Sequence, residues 1–282
     1  MSSSKGLSAA LLVLYILFSL PGIFVIFKHG VRHGAILGWF FLNGFFLLKI
    51  IASGLQLHDP TNTTAALLSN VGLSPLLLST ASIIHEARAY LFKDSRNRRI
   101  EILTVVVFHQ LVAVAIALVA SGASSLEEAK SEADVNKDEK NIKVGEVLLL
   151  VAWLVLTAVA IFTAVSVSGN SRSNREAATT YKKRDFAGGK MLIFAVVAAM
   201  PFLGIRLLTS LIYFFTNDAA LNPVSGSLGL RVGLEIIEEL IITLVYITAG
   251  ILTRNIGKGE NYVTPNGEPH LYREEYGGTQ MA

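Results

Sequence analysis

The chain has no cysteine among its 282 residues. Disulfides, thiolate metal sites and a cysteine nucleophile are therefore excluded. Charge is scarce as well: Asp, Glu, Lys and Arg make up 16% of the sequence, against about 25% in soluble domains. No Walker sequence, HExxH, GxSxG or metal-spaced His/carboxylate set occurs. No loop or tail is long enough to fold separately. An ATP-driven pump and a soluble catalytic domain are thereby excluded, and no metal or cofactor is expected.

What is abundant is apolar. Hydrophobic residues make up 52% of the chain, and the mean hydropathy is +0.54. A spanning helix needs about 20 mostly apolar residues. Seven segments qualify, at roughly 7–27, 35–56, 65–92, 100–121, 144–168, 190–215 and 231–253. The expected fold is all-α, a polytopic bundle of seven transmembrane helices over residues 1–256, followed by a disordered cytosolic tail over 257–282. The third segment is long and contains Pro75, which predicts a kink or an extension. The first exceeds the apolar run of a signal peptide and reads as a retained helix.

The net charge of +3 is better read as topology than as affinity for nucleic acid. Lys28, Arg32, Lys93, Arg96, Arg98, Arg99, Arg172, Arg175, Lys182, Lys183, Arg184, Lys190, Arg254, Lys258 and Arg273 fall on one side. Lys5, Lys130, Lys137, Lys140, Lys143 and Arg231 fall on the other. The excess predicts a lumenal or outside N-terminus and a cytosolic C-terminus. The acidic stretch 122–143 is then expected to be a mobile lumenal loop. The sequon Asn62-Thr63-Thr64 lies on the same side, close to the membrane, and is expected to stay unmodified.

Five charges remain inside apolar segments: Lys49, Arg206, Glu235, Glu238 and Glu239. A helical rise of 1.5 Å per residue sets their depths. Lys49 lies about 21 Å and Arg206 about 24 Å from the inner boundary, and Glu238 about 10 Å below the outer one. All three segments thus place charge at one level in the outer half. Glu235, Glu238 and Glu239 are spaced i, i+3, i+4 and share a helix face. Arg231 is in reach of Glu235. The acids outnumber the buried bases, and a carboxyl group lacking a partner in low dielectric tends to keep its proton. Two readings stand side by side: ion pairs that lock helices together, and a site that uses the charges.

Other polar residues are weaker signals. Asn70, Ser74 and Gln56 are candidates to line the same cavity, with His109 and Phe45. For His109, hydrogen-bonded packing is the plainer account. Glu146 reads as interfacial, Trp39 as part of an interfacial belt, and His85, Glu86 and Arg88 as snorkelling. A faint echo pairs "LKIIASGLQL" with "IRLLTSLIYF", aligning Lys49 with Arg206 and Ser53 with Ser210.

"FKHGVRHGAILGWFFLNGFFLLKIIASGLQL" (27–57), "NVGLSPLLLSTASII" (70–84) and the seven-span layout with short loops together carry a resemblance. The chain resembles a fungal family of seven-span integral membrane proteins, most of unknown function. That family is similar to membrane-bound cyclases of meroterpenoid pathways, which open a terminal epoxide on a prenyl chain. The resemblance implies a metal-independent terpene cyclase, an intramolecular isomerase of secondary metabolism, acting on a lipophilic prenylated small molecule among membrane lipids. The endoplasmic reticulum is the default location. Glu238 or Glu239 would serve as acid, with Glu235 in the same cluster. Lys49 and Arg206 would hold a neighbouring carboxylate ionised. A seven-helix receptor or sensor and a lipid or solute transporter are the alternatives.

Overall fold

The structure is a computed structural model and describes residues 2–30, 35–60, 62–92, 98–128, 131–169, 180–222 and 226–257. Among these, every regular element is helical. In chain order they are α1 (Ser2–His29), α2 (Ala35–His58), α3 (Thr63–Val71), α4 (Leu73–Leu91), α5 (Arg98–Glu128), α6 (Glu132–Gly169) and α7 (Thr180–Thr216). A short 3₁₀ turn (Ala219–Leu221) follows, then α8 (Leu228–Arg231), a π-helical turn (Val232–Ile236) and α9 (Ile237–Leu252). The basic connections at 93–97 and 170–179 lie outside the described residues, as does the tail from 258, which was expected to be disordered.

Six helical segments are long and apolar enough to cross a bilayer, with Leu67–Leu91 counted as one. The expected seventh, at 231–253, differs in form. Helical residues run unbroken from 228 to 252, but the π turn divides them and leaves α9 with 16 residues. The third segment is also divided, at Gly72. Pro75 lies in the first turn of α4, where its missing N–H costs little. Asn62 caps α3, its side chain accepting from the Ala65 amide at 2.8 Å. The stretch 122–143 is not the loop its polarity suggested: α5 continues to Glu128 and α6 starts at Glu132.

Five helices form a ring of neighbours, α1–α2–α4–α7–α9 and back to α1. The α5–α6 hairpin packs outside this ring against α4 and α7. Tyr15, Trp39, Leu42, Phe45, Phe46, Leu203 and Tyr246 fill the interior. Large apolar side chains cover the outside, with Phe27 79% and Phe162 71% exposed. An outer surface this apolar is stable only against lipid. Hydroxyls inside the helices are satisfied locally, as when Thr80 donates to the Leu76 carbonyl and Thr163 to that of Val159.

Small residues set the closest approaches. A Cβ on Gly145 of α6 would lie 2.7 Å from the Ala115 carbonyl oxygen of α5, and one on Gly54 of α2 would meet nothing within 4 Å. G145A is therefore expected to lower the thermal midpoint in detergent, through an overpacking cost of about 1–3 kcal/mol. G54A is expected to leave it unchanged or raise it, since alanine is the better helix former.

Candidate functional site

The π turn orders the end of the chain that carries the carboxylates. Its extra residue per turn alters the register at which Glu235 and Glu239 enter the ring. Glu239 is 1% exposed and stands at the centre of an ionic cluster. Its Oε1 accepts from Lys49 Nζ of α2 at 2.7 Å and from Arg206 Nε of α7 at 3.2 Å. Its Oε2 accepts from the Tyr15 hydroxyl of α1 at 3.0 Å. Four helices of the ring therefore meet on one carboxylate.

The cations have further partners. Lys49 Nζ also donates to Ser69 Oγ of α3 at 2.8 Å and lies 5.7 Å from the Phe45 ring centroid. Arg206 donates through Nη2 to Asn70 Oδ1 at 3.0 Å, and the same nitrogen is 3.6 Å from Glu235 Oε2. At the lip, Arg231 Nη2 is 3.5 Å from Gln56 Oε1. Two buried cations and two carboxylates thus stand together in the interior. In such a setting, removing one partner costs far more than an exposed ion pair contributes.

Two other carboxyl groups are buried nearby in a different state. Glu238 is 6% exposed, makes no ion pair among the described residues, and has an Oε2 with no hydrogen-bond partner. Glu146 of α6 is 2% exposed, with Oε1 accepting from Ser210 Oγ at 3.0 Å and Oε2 unpartnered. Glu146 is therefore interior, not interfacial as its position at the start of an apolar run suggested.

Beside the cluster lies a chamber of about 20 Å³, bordered by Tyr15, Lys49, Ser69, Arg231, Glu235 and Glu239, with Gln56 and Ser53. That volume holds about one water. Ser74 is buried without bordering it. Phe45 stands behind it, edge-on to Tyr15 with centroids 5.7 Å apart. His109 is elsewhere: its Nδ1 engages the Val105 carbonyl at 2.7 Å and its ring packs on Phe41. Among the described residues no His, Asp and Glu group is arranged to hold a metal ion.

A second polar cluster forms at the other end of the ring. His29 Nδ1 is 2.6 Å from Glu86 Oε1, and Trp39 Nε1 donates to Glu86 Oε2 at 3.1 Å. Trp39 and Glu86 are each 1% exposed. Neither the interfacial reading of Trp39 nor the snorkelling reading of Glu86 holds. Burial forces their polar atoms to find each other. Arg88 likewise turns inward to donate to Thr163 Oγ1 at 3.0 Å.

E239Q is expected to lower stability by about 3–5 kcal/mol, because it leaves two buried cations short of charge. E238Q, which breaks no ion pair, is expected to have a much smaller effect. Thermal unfolding of both variants in one detergent distinguishes them, and equal losses would contradict the arrangement described.

A family model described as "Domain of unknown function (DUF7702)" matches residues 1–256. Among curated proteins and among solved structures, no match to the chain is found. The match spans every helix of the ring and both polar clusters, so the chain belongs to the DUF7702 family, whose function is unknown.

Proposed function

We propose that the outer cluster is an intramembrane acid–base site and that the protein is a metal-independent cyclase opening an epoxide on a lipophilic prenyl chain. The observation that carries this reading is the contrast between two adjacent carboxyl groups. Glu239 is matched by two cations and a phenol, whereas Glu238 is buried with an unpartnered oxygen. Neighbouring carboxyl groups in opposite environments are the usual mark of an acid and its partner. In this reading the chain crosses the membrane seven times with its N-terminus lumenal, as the distribution of Lys and Arg favours, and it resides in the endoplasmic reticulum.

The chemistry balances without a cofactor. Glu238 gives its proton to the epoxide oxygen, and the carbon–oxygen bond breaks as an alkene π pair attacks the carbon. The final cation loses a proton to a carboxylate, Glu238 itself or Glu235, and the product is an isomer of the substrate. Glu239, Lys49 and Arg206 position the helices and keep the local charge fixed, so little reorganisation accompanies the reaction. The Phe45 and Tyr15 rings supply π faces near the developing cation. A prenyl chain needs far more room than the one-water chamber. Entry is from the bilayer through the α1–α9 seam, which the Tyr15–Glu239 hydrogen bond closes at this level.

A transporter of a small polar solute is the second reading, favoured by the size and polarity of the chamber. Expression in a clean fungal host supplied with an epoxidised prenyl-phenol separates the two. The cyclase reading expects a cyclised isomer with the native chain and its loss in E238Q at unchanged protein level. Full turnover by E238Q would remove Glu238 from the acid's role. An unaltered substrate with the native chain would remove the cyclase reading.

A further inference from the structure

The cluster at the opposite end of the ring has no part in the chemistry above. His29 Nε2 is 2.9 Å from the Gly250 carbonyl oxygen of α9. A carbonyl oxygen only accepts, so this contact is a hydrogen bond only when Nε2 carries a hydrogen. Nδ1 is 2.6 Å from Glu86 Oε1 of α4. Either Nδ1 donates to a carboxylate or a carboxylic acid donates to Nδ1. In both descriptions one proton lies between the two residues and the pair is neutral overall. The two side chains are 0% and 1% exposed. Without that proton the imidazole has one N–H for two acceptors, so either the Glu86 or the Gly250 contact loses its hydrogen, and a net negative charge remains in the interior.

The pair also joins four helices. His29 ends α1, Trp39 of α2 donates to Glu86 of α4, and Gly250 and Thr253 belong to the end of α9. Thr253 Oγ1 is 3.4 Å from His29 Nε2. Gly250 lets the elements close: a Cβ there would lie 2.7 Å from Val25 and 2.8 Å from Trp39. Eleven residues of helix separate Gly250 from Glu239, about 16 Å, so this site is distinct from the chamber.

We propose that the His29–Glu86 pair is a proton-binding site that latches α1, α2, α4 and α9 at the end of the bundle away from the chamber. Loss of the proton breaks one of the two His29 contacts and releases that end. The packed elements bring other charged or titratable groups to the same end. Among the described residues they include Lys28 on α1, His85 and Arg88 on α4, Arg184, Asp185 and Lys190 on α7, and Arg254 after α9. Several of these have separate engagements: Arg88 with Thr163, Arg184 with the Asn255 carbonyl, Asp185 with the Gly257 amide and Arg254 with the Ile251 carbonyl. The inference stands independently of the cyclase reading.

The chain supplies its own reporters. It has two tryptophans, and the Trp39 ring lies 4.8 Å from that of His29. In a W153F background, purified full-length protein in detergent is titrated from about pH 5 to about pH 9, where histidine charge changes are read. Trp39 emission is expected to rise in one step as the proton leaves, and the step is expected to vanish in both E86Q and H29Q. Because the chain has no cysteine, V25C gives a single thiol beside Gly250. Maleimide labelling of V25C is expected to increase several-fold with the same midpoint. Flat emission across the range, or a step unchanged in both variants, would overturn the proton site. Labelling that ignores an emission step would overturn the latch. If E86Q fails to fold, E86D keeps the test open, since it is expected to retain a step with a shifted midpoint.

Discussion

One carboxylate organises one end of this bundle. Glu239 takes hydrogen bonds from Lys49, Arg206 and Tyr15, residues on three different helices, while lying on a fourth. Helices packed in lipid gain little from the hydrophobic effect, because acyl chains are as apolar as leucine. Close packing and polar contacts must therefore define which helices are neighbours. A charge that is costly to leave unpaired gives a strong preference for the one arrangement that pairs it. Asn70 and Ser69 extend that arrangement to α3, holding the short helix against the cations.

The cluster at the other end of the ring repeats the principle with weaker groups. His29, Glu86 and Trp39 gather three helices, and the Gly250 carbonyl adds a fourth. Between the two clusters, the Tyr246 hydroxyl pairs with Thr80 at 2.8 Å. Tyr246 and Glu239 lie on α9 seven residues apart, two helical turns on nearly the same face. The ring is thus joined at three depths by polar contacts inside an apolar shell. Glycines at 38 and 250 permit close approaches within the ring. A bundle joined in this way has defined positions at which a ligand or a proton can shift it.

Helical arithmetic puts Lys49, Arg206 and Glu238 at one level, because depth depends only on rise per residue; the carboxylate that meets both cations is the next residue, Glu239. Asn70, expected to line the cavity, does not border the chamber and instead accepts from Arg206. Rotation about the helix axis was harder to read. Glu235 and Glu239, one turn apart, both reach Arg206, whereas Glu238 is one position and about 100° of rotation from Glu239 and makes no ion pair among the described residues. Tyr15 was hidden within an apolar run that suits lipid as well as core. His29 and Glu86 are 57 positions apart and belong to different helices, so no local pattern joins them. The α5–α6 hairpin was misjudged because polarity signals departure from the membrane rather than loss of helix. Its lysines and glutamates are good helix formers, and Lys143 pairs with Glu139 one turn away.

The coupling between Lys49 and Glu239 tests most directly whether a buried ionic centre holds the ring together. K49M, E239M and the double variant form a cycle that can be followed by thermal unfolding in detergent. Each single variant is expected to lose about 3–5 kcal/mol, and the double variant is expected to recover part of that loss, since it strands less charge. Additive losses, with the double variant as unstable as the sum of the singles, would contradict the account.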